Sequence, residues 1–296
     1  MSLYKYVSAT TLEYILNGSI RFTQPGGFND PFELALEVYN PYNDERNINI
    51  RFDVLSQEKK INNHLLDTNF QDDNCNDIFS RELIEKLNNQ IGILCLSKNH
   101  DSHLMWAHYA DEYSGAVIEF NEDHEYFKGI TEVTYVKERP IVHMDYFLNN
   151  ETIPVSNLCI KSELWNYERE WRLIRSLKDC KKNKSKAKKF DIYTNNIPLD
   201  SINSVSLGER CPADMIRKIY HKLKFTNIGL SIAALANWKY DFRYEPIKLN
   251  KSIKDFSPMV SPRTAEIFVN DKGMLGEMAR WMIANHPMSK VTKWRL

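Results

Sequence analysis

Hydrophobic positions change their period several times along this chain, and each change predicts an element. LYKYV near the start is a short β-prone run, and Leu12, Ile15 and Leu16 then share one helical face. Thr10 and Glu13 are spaced as a capping box for that two-turn helix, and Gly18 supplies a left-handed stop. SIRFTQ predicts a strand. QPGGFNDPFE predicts a rigid, turn-rich loop, because Pro25, Gly26, Gly27, Asn29, Asp30 and Pro31 all favour turn backbones. A polar, Asn-rich helical insertion is expected over about residues 51–91, closing on Phe79, Leu83, Ile84, Leu87 and Ile91 at helical spacing. A buried strand (GILCLS), a helix capped by Ser102 (LMWAHYAD), a strand (AVIEF) and another strand over 130–136 follow.

Residues 137–160 read as loop or mixed structure, and KSELWNYEREWRLIRS then reads as a polar segment entering a strand. KDCKKNKSKAKK is most simply a solvated hairpin loop leading into FDIYT. INSVSLG alternates as a strand, residues 212–223 place Met215, Ile216, Ile219 and Leu223 at helical spacing, and IGLSIAAL and KYDFRYEPI are strand-like. After the linker-like SPMVSP, TAEIFV predicts a strand and GMLGEMARWMIANHP a helix. The expected class is α+β: one domain over 1–250 and a strand-helix appendage over 251–296 that either completes the core or mediates self-association as a homo-oligomer. A doubly wound nucleotide fold is excluded, since no GxGxxG or GxxxxGK(S/T) occurs.

Composition narrows the class without choosing a function. The 296 residues carry 39 basic and 39 acidic side chains, so no global charge argues for DNA or a membrane surface. The longest nearly uncharged stretch, 227–238, is too short to span a bilayer, and a soluble cytoplasmic protein is expected. Cysteines at 75, 95, 159, 180 and 211 are odd in number and form no CxxC pair, which predicts reduced thiols, with Cys95 a small core residue. His100, His103 and His108 lack the i, i+4 spacing that joins two imidazoles on one helix face, so no metal site is expected.

Three segments could carry chemistry. If WNYEREWR is extended, Glu168, Glu170 and Arg172 share one face, with Arg169, Trp171 and Leu173 on the other. The two carboxylates then stand roughly 6–7 Å apart, close enough to perturb each other unless Arg172 compensates. A surface charge ladder is the competing reading. In FNDPFE, Asn29 and Asp30 fix a turn, or else the loop presents Asp30 and Glu33 to a polar ligand. In MWAHYADEYSG, Trp106, Tyr109 and Tyr113 form either a core stripe or a stacking platform, and His108 is either a satisfied histidine or a base.

Taken together, LYKY at residues 3–6, FNDPFE at 28–33, the WxxYAD…GxxxEF block at 106–120, WxYExEWR at 165–172 and the Leu-Gly strand end at 205–208 resemble a bacterial family known as domain of unknown function 2971. That resemblance covers residues 1 to about 250. More distantly, the order of elements resembles the ADP-ribosyltransferase fold, which implies a split β-sheet core with flanking helices around a cleft for NAD. It implies Glu170 first and Glu168 second as the catalytic carboxylate, Lys5 at the early basic position, and Tyr109 or Tyr113 at the middle one. Lys5, Arg21 and Arg172 would lie near the diphosphate, and Tyr6, Asn29, Asp30, Trp106 and Tyr109 complete the expected cofactor-binding set. The implied activity is transfer of ADP-ribose from NAD to a macromolecule, or NAD hydrolysis, as a toxin or antiphage effector.

Two readings compete. One is a noncatalytic nucleic-acid or nucleotide module using Lys178 to Lys189 and stacking on Trp106 or Tyr109. The other is a metal-dependent nuclease built on Asp30, Glu33, Glu168 and Glu170 with a nearby lysine.

Overall fold

A computed structural model describes residues 2–39, 72–143, 153–183 and 190–288, and the expectations for 51–71, for 184–189 and for the last eight residues lie outside them. The chain opens with β1 (Ser2–Val7), α1 (Ala9–Leu16) and β2 (Ser19–Phe22), then a 3-10 turn at Pro25–Gly27 and β3 (Glu37–Tyr39). From residue 72 come α2 (Asp72–Asn88), β4 (Ile91–Ser97), α3 (His103–Tyr109), β5 (Ala116–Asn121), β6 (Thr131–Glu132), β7 (Thr134–Val136) and β8 (Ile141–His143). The next segment holds α4 (Val155–Leu158), β9 (Ile160–Ser162), a 3-10 turn at Glu163–Glu168, β10 (Glu170–Ser176) and β11 (Lys181–Asn183). The rest runs through β12 (Ile192–Asn196), β13 (Ile202–Gly208), α5 (Ala213–Leu223), β14 (Gly229–Leu235), β15 (Phe242–Lys248), α6 (Ala265–Phe268) and α7 (Met274–Asn285).

This is a mixed α+β architecture around one large sheet of order β15-β14-β13-β5-β1-β4-β10-β6. Only the β13–β14 pair of that sheet is parallel. Strand β1 is zipped to β5 through six register pairs, and β4 to β10 through seven. Between β1 and β4, however, the ladder consists of the single pair Tyr4↔Ser97. The sheet is therefore two β-blocks joined at one seam, and the strands diverge where Lys5 and Cys95 face each other. A three-stranded sheet, β11-β12-β2, adjoins the β4 edge through the bridge Thr23↔Ile93.

Alternation along β1 explains why the seam lies where it does. Leu3 and Val7 point into the main core with Ile118, Phe120, Val205 and Ile232, while Tyr4 and Tyr6 face the aromatic cluster under α3. Lys5 shares the apolar face of Leu3 and Val7, which no ammonium can occupy unpaired, and it reaches the Cys95 carbonyl at 2.9 Å. The turn before β5 is equally constrained. Asp111, Glu112 and Tyr113 all take positive φ, and a Cβ at Gly208 would meet the Tyr113 carbonyl oxygen at 2.0 Å.

Several elements differ from expectation. Ser8 rather than Thr10 caps α1, accepting from the Thr11 N–H, although Leu12, Ile15 and Leu16 are buried as the spacing requires. The strand expected over 130–136 breaks into β6 and β7 around buried Val133, whose N–H donates to the Glu170 carbonyl at 2.9 Å. TAEIFV forms the helix α6, because Phe268 inserts edge-on against Tyr220 at 5.0 Å. Ala265, Ile267, Phe268 and Ala279 all join the main core, so the C-terminal segment packs into the same interior as the sheet.

Helix α3, which carries site residues, is only seven residues long and depends on its cap. Ser102 Oγ accepts the Met105 N–H. Ser102→Ala is expected to lower stability by about 1 kcal/mol, readable as a shift in urea midpoint without a change in slope.

Candidate functional site

A cavity of about 360 Å³ opens at the seam, within the size range of small-molecule clefts. One wall is β1, with Tyr4, Lys5 and Tyr6; β2 contributes Arg21, and the loop after it Asn29 and Glu33. The opposite wall holds Lys161 from β9, Glu168 and Glu170, and α3 closes the cavity with Met105, His108 and Tyr109.

The acidic end is a buried ion network. Lys161 Nζ donates to Glu168 Oε2 at 2.7 Å and Glu170 Oε2 at 2.8 Å, with Glu33 Oε2 at 3.6 Å. Arg172 Nε donates to Glu170 Oε1 at 2.8 Å, its Nη1 to the Leu158 carbonyl at 2.6 Å, and its Nη2 bonds Glu33. Tyr109 Oη donates to Glu168 Oε1 at 2.6 Å and accepts from Asn29 Nδ2 at 3.3 Å. Three carboxylates thus share two cations out of water, a geometry held only by full pairing.

The local backbone aims these groups. Glu168 ends a 3-10 turn and Arg169 is left-handed (φ 44°), so β10 starts at Glu170. The expected extended run from Glu168 is therefore interrupted, and Lys161, rather than strand alternation, brings the two carboxylates together. The bend also frees the Glu170 N–H to donate to Tyr135 Oη at 2.8 Å.

Electrostatics separate the carboxyls. Burial works against the charge on Glu170, but the Arg172 guanidinium and the Lys161 ammonium overcome it and hold its pKa down to about 2. Burial dominates at Glu33 and raises its pKa despite Arg172. Lys161, buried as it is, has its pKa raised by Glu170, Glu33 and Glu168. The Tyr109 hydroxyl is pushed up by burial and by its bond to Glu168.

The same cavity also holds two sparsely paired cations, Lys5 and Arg21, with Lys5 close enough to feel the Glu170 charge. Burial lowers the pKa of Lys5, whose one hydrogen bond runs to a backbone carbonyl. Arg21 Nε is buried and has no hydrogen-bond partner among the described residues, and desolvation lowers its pKa also. A cavity lined by carboxylates, two cations and tyrosines suits a ligand carrying both hydroxyls and phosphate.

Of the residues singled out in the sequence, Lys5, Tyr6, Arg21, Asn29, Tyr109, Glu168 and Glu170 line this cavity. Three do not. Asp30 accepts the Phe32 N–H in its own turn and faces a neighbouring cavity. Trp106 is wholly buried, edge-on to Tyr6 at 5.7 Å and stacked on Tyr113 at 6.1 Å, so it is core and not a stacking surface. Arg172 is wholly buried behind Glu170 and is committed to carboxylates, so it stabilises the site without reaching a diphosphate. Tyr6 Oη is occupied as well, donating to the Asn99 carbonyl at 2.9 Å. Cys95 packs half-buried against the core cluster around Ile93 and Leu158 and also lines the cavity. Lys161 is the residue sequence reasoning missed. The nuclease grouping assembles in part, since Glu33, Glu168 and Glu170 converge, but two cations already occupy them and Asp30 lies apart.

Residues 105–173 match the model of a family described as a protein of unknown function (DUF2971). That segment holds α3, Glu168, Glu170 and Arg172, and the family resemblance read from the sequence holds there, while the motifs at 3–6, 28–33 and 205–208 lie outside the match. No curated protein and no solved structure matches the chain. No helix among the described residues is long and apolar enough to cross a membrane.

Proposed function

We propose that this chain, whose residues 105–173 match the model of a family of unknown function, is an ADP-ribosyltransferase-like enzyme that cleaves the ribosyl–nicotinamide bond of NAD in the seam cavity. The observation that carries the reading is the polarity of that cavity. Among the described residues Arg21 and Lys5 form no ion pair with a carboxylate, and they line the same cavity as Glu168 and Glu170. The near-separation of the sheet into two blocks at Tyr4↔Ser97 supports the same reading, since a split core around a cleft is what the distant resemblance implies.

In this scheme the diphosphate lies against Lys5 and Arg21 and the nicotinamide ribose against the glutamates. Heterolysis of the C1′–N bond sends its electron pair to neutral nicotinamide and leaves positive charge on the sugar. Glu170, kept ionised by Arg172 and Lys161, stabilises that charge more in the transition state than in the ground state. Glu168, steadied by Tyr109, orients a ribose hydroxyl or the incoming acceptor. The acceptor, a macromolecular nucleophile or water, then takes the C1′ position and releases its proton. The toxin or antiphage setting is carried as part of this proposal.

The test is incubation of the full chain with NAD labelled in the adenylate half together with cell lysate, following label transfer and free nicotinamide. Glu168→Gln and Glu170→Gln are expected to lower turnover by about 10²–10³. Tyr109→Phe, which keeps the ring in place, should cost less. Equal signal from wild type and both glutamate variants would remove the assignment.

A further inference from the structure

A second cavity, of about 300 Å³, lies on the other side of Tyr4 and is independent of the NAD reading. Its floor is built by register. Tyr4 on β1 stands opposite Glu119 on β5, Glu119 opposite Ser204 on β13, and Ser206 on β13 beside Ser231 on β14. Residues paired this way point to the same face, so these side chains form one polar patch in the middle of the sheet. The opposite face of the same strands is packed with Ile118, Phe120, Val205, Leu207 and Leu230.

The floor is ordered by hydrogen bonds that leave capacity unused. Ser2 Oγ and Ser204 Oγ donate to the two Glu119 oxygens at 2.7 and 2.6 Å, and each carboxylate oxygen can accept again. The Ser206 and Ser231 hydroxyls lie 2.9 Å apart, and only one of their two protons is used between them. A row of rings makes the wall: Tyr4 to His100 at 5.3 Å and His100 to Tyr244 at 5.8 Å, with planes about 30° apart. No lysine or arginine lines this cavity.

Those features select a ligand by its hydrogen-bonding character. An anion would meet Glu119 with no cation to offset it. A cation would use the acceptors and leave the serine protons idle. Hydroxyl groups both donate and accept, and the C–H faces of a sugar ring pack on aromatic side chains. We infer that this trough binds an uncharged, hydroxyl-rich ring ligand, supplied either as a saccharide or as the ribose of a nucleoside.

The experiment is titration of the full chain, without NAD, by calorimetry or by nuclear magnetic resonance. The probes are glucose, maltotriose, adenosine and uridine, with arginine amide as a charged comparison. At least one neutral probe is expected to bind with a millimolar or lower Kd, with saccharide and nucleoside arms identifying the source. Tyr244→Ala and Ser206→Ala should each weaken that binding roughly tenfold while nicotinamide release in the seam cavity is unchanged. Three results overturn the inference: no neutral probe bound at roughly 10 mM, binding unaltered in both variants, or tighter binding of arginine amide than of every neutral probe.

Discussion

Lys161→Met is expected to lower stability by about 3–5 kcal/mol near neutral pH and to abolish turnover in the seam cavity. The methionine conserves most of the side-chain volume, so the loss isolates the charge. Lys161 holds Glu168 at 2.7 Å and Glu170 at 2.8 Å, and without it Arg172 would be left to pair Glu170 and Glu33 while Glu168 would keep only the Tyr109 hydroxyl. Glu170 and Glu33 would answer by taking up protons in the folded state, so their folded pKa values would rise, since Lys161 lowers both. A carboxyl whose folded pKa is raised contributes stability that is complete below its unfolded value and lost as pH climbs through the folded one. The variant should therefore be nearest to wild type in mild acid and fall away from it toward pH 7. Urea unfolding of both proteins at a series of pH values reads this directly. A constant difference at every pH would show that Lys161 acts through packing and not through its charge.

Wild type should lose about 3 kcal/mol of stability in acid through Glu170 alone. Its folded pKa is about 2 against an ordinary 4.5, despite burial, because of Arg172 and Lys161. A depressed carboxyl stabilises fully above 4.5, and the contribution drains away as pH falls through that value toward 2. Glu33 contributes with the opposite sign, since burial raises its pKa and its contribution is present below 4.5 and lost as pH rises through its folded value. Acid unfolding monitored by tryptophan fluorescence, compared with Glu170→Gln, separates the two. The variant should be weaker than wild type near pH 6, and the gap should close between pH 4.5 and 2. A gap that stays open to pH 2 would mean that Glu170 is not held ionised.

The sequence disclosed the site where its chemistry was locally dense and concealed it where contacts were distant. WNYEREWR displayed two glutamates and an arginine within five residues, and all three belong to one network. Lys161 gave no such signal. It opens the polar segment ahead of that run, seven residues before Glu168, and lysine is almost never fully buried unless paired, so only the fold identifies its partners. Trp106 and Tyr109 looked equivalent at helical spacing, yet one is sealed under Tyr6 and Tyr113 while the other reaches Glu168. Strand patterns such as INSVSLG were legible because alternation reports a half-buried face. In α6, Ile267 and Phe268 are β-prone residues whose helix is set by tertiary packing on α5 and α7. The Tyr4↔Ser97 seam joins residues 93 apart and has no local sequence signature.

In the proposed reaction, that seam would tie substrate binding to the mechanics of the sheet. Across most of its length β1 is not laced to β4 by main-chain bonds, and the Lys5 ammonium on the Cys95 carbonyl takes the place of a missing rung. The ammonium has two further protons, so an anion drawn to Lys5 would be held by the same group that bridges the two halves. Clasp and counter-ion would then be one side chain, and a bound phosphate would stiffen the junction it sits in.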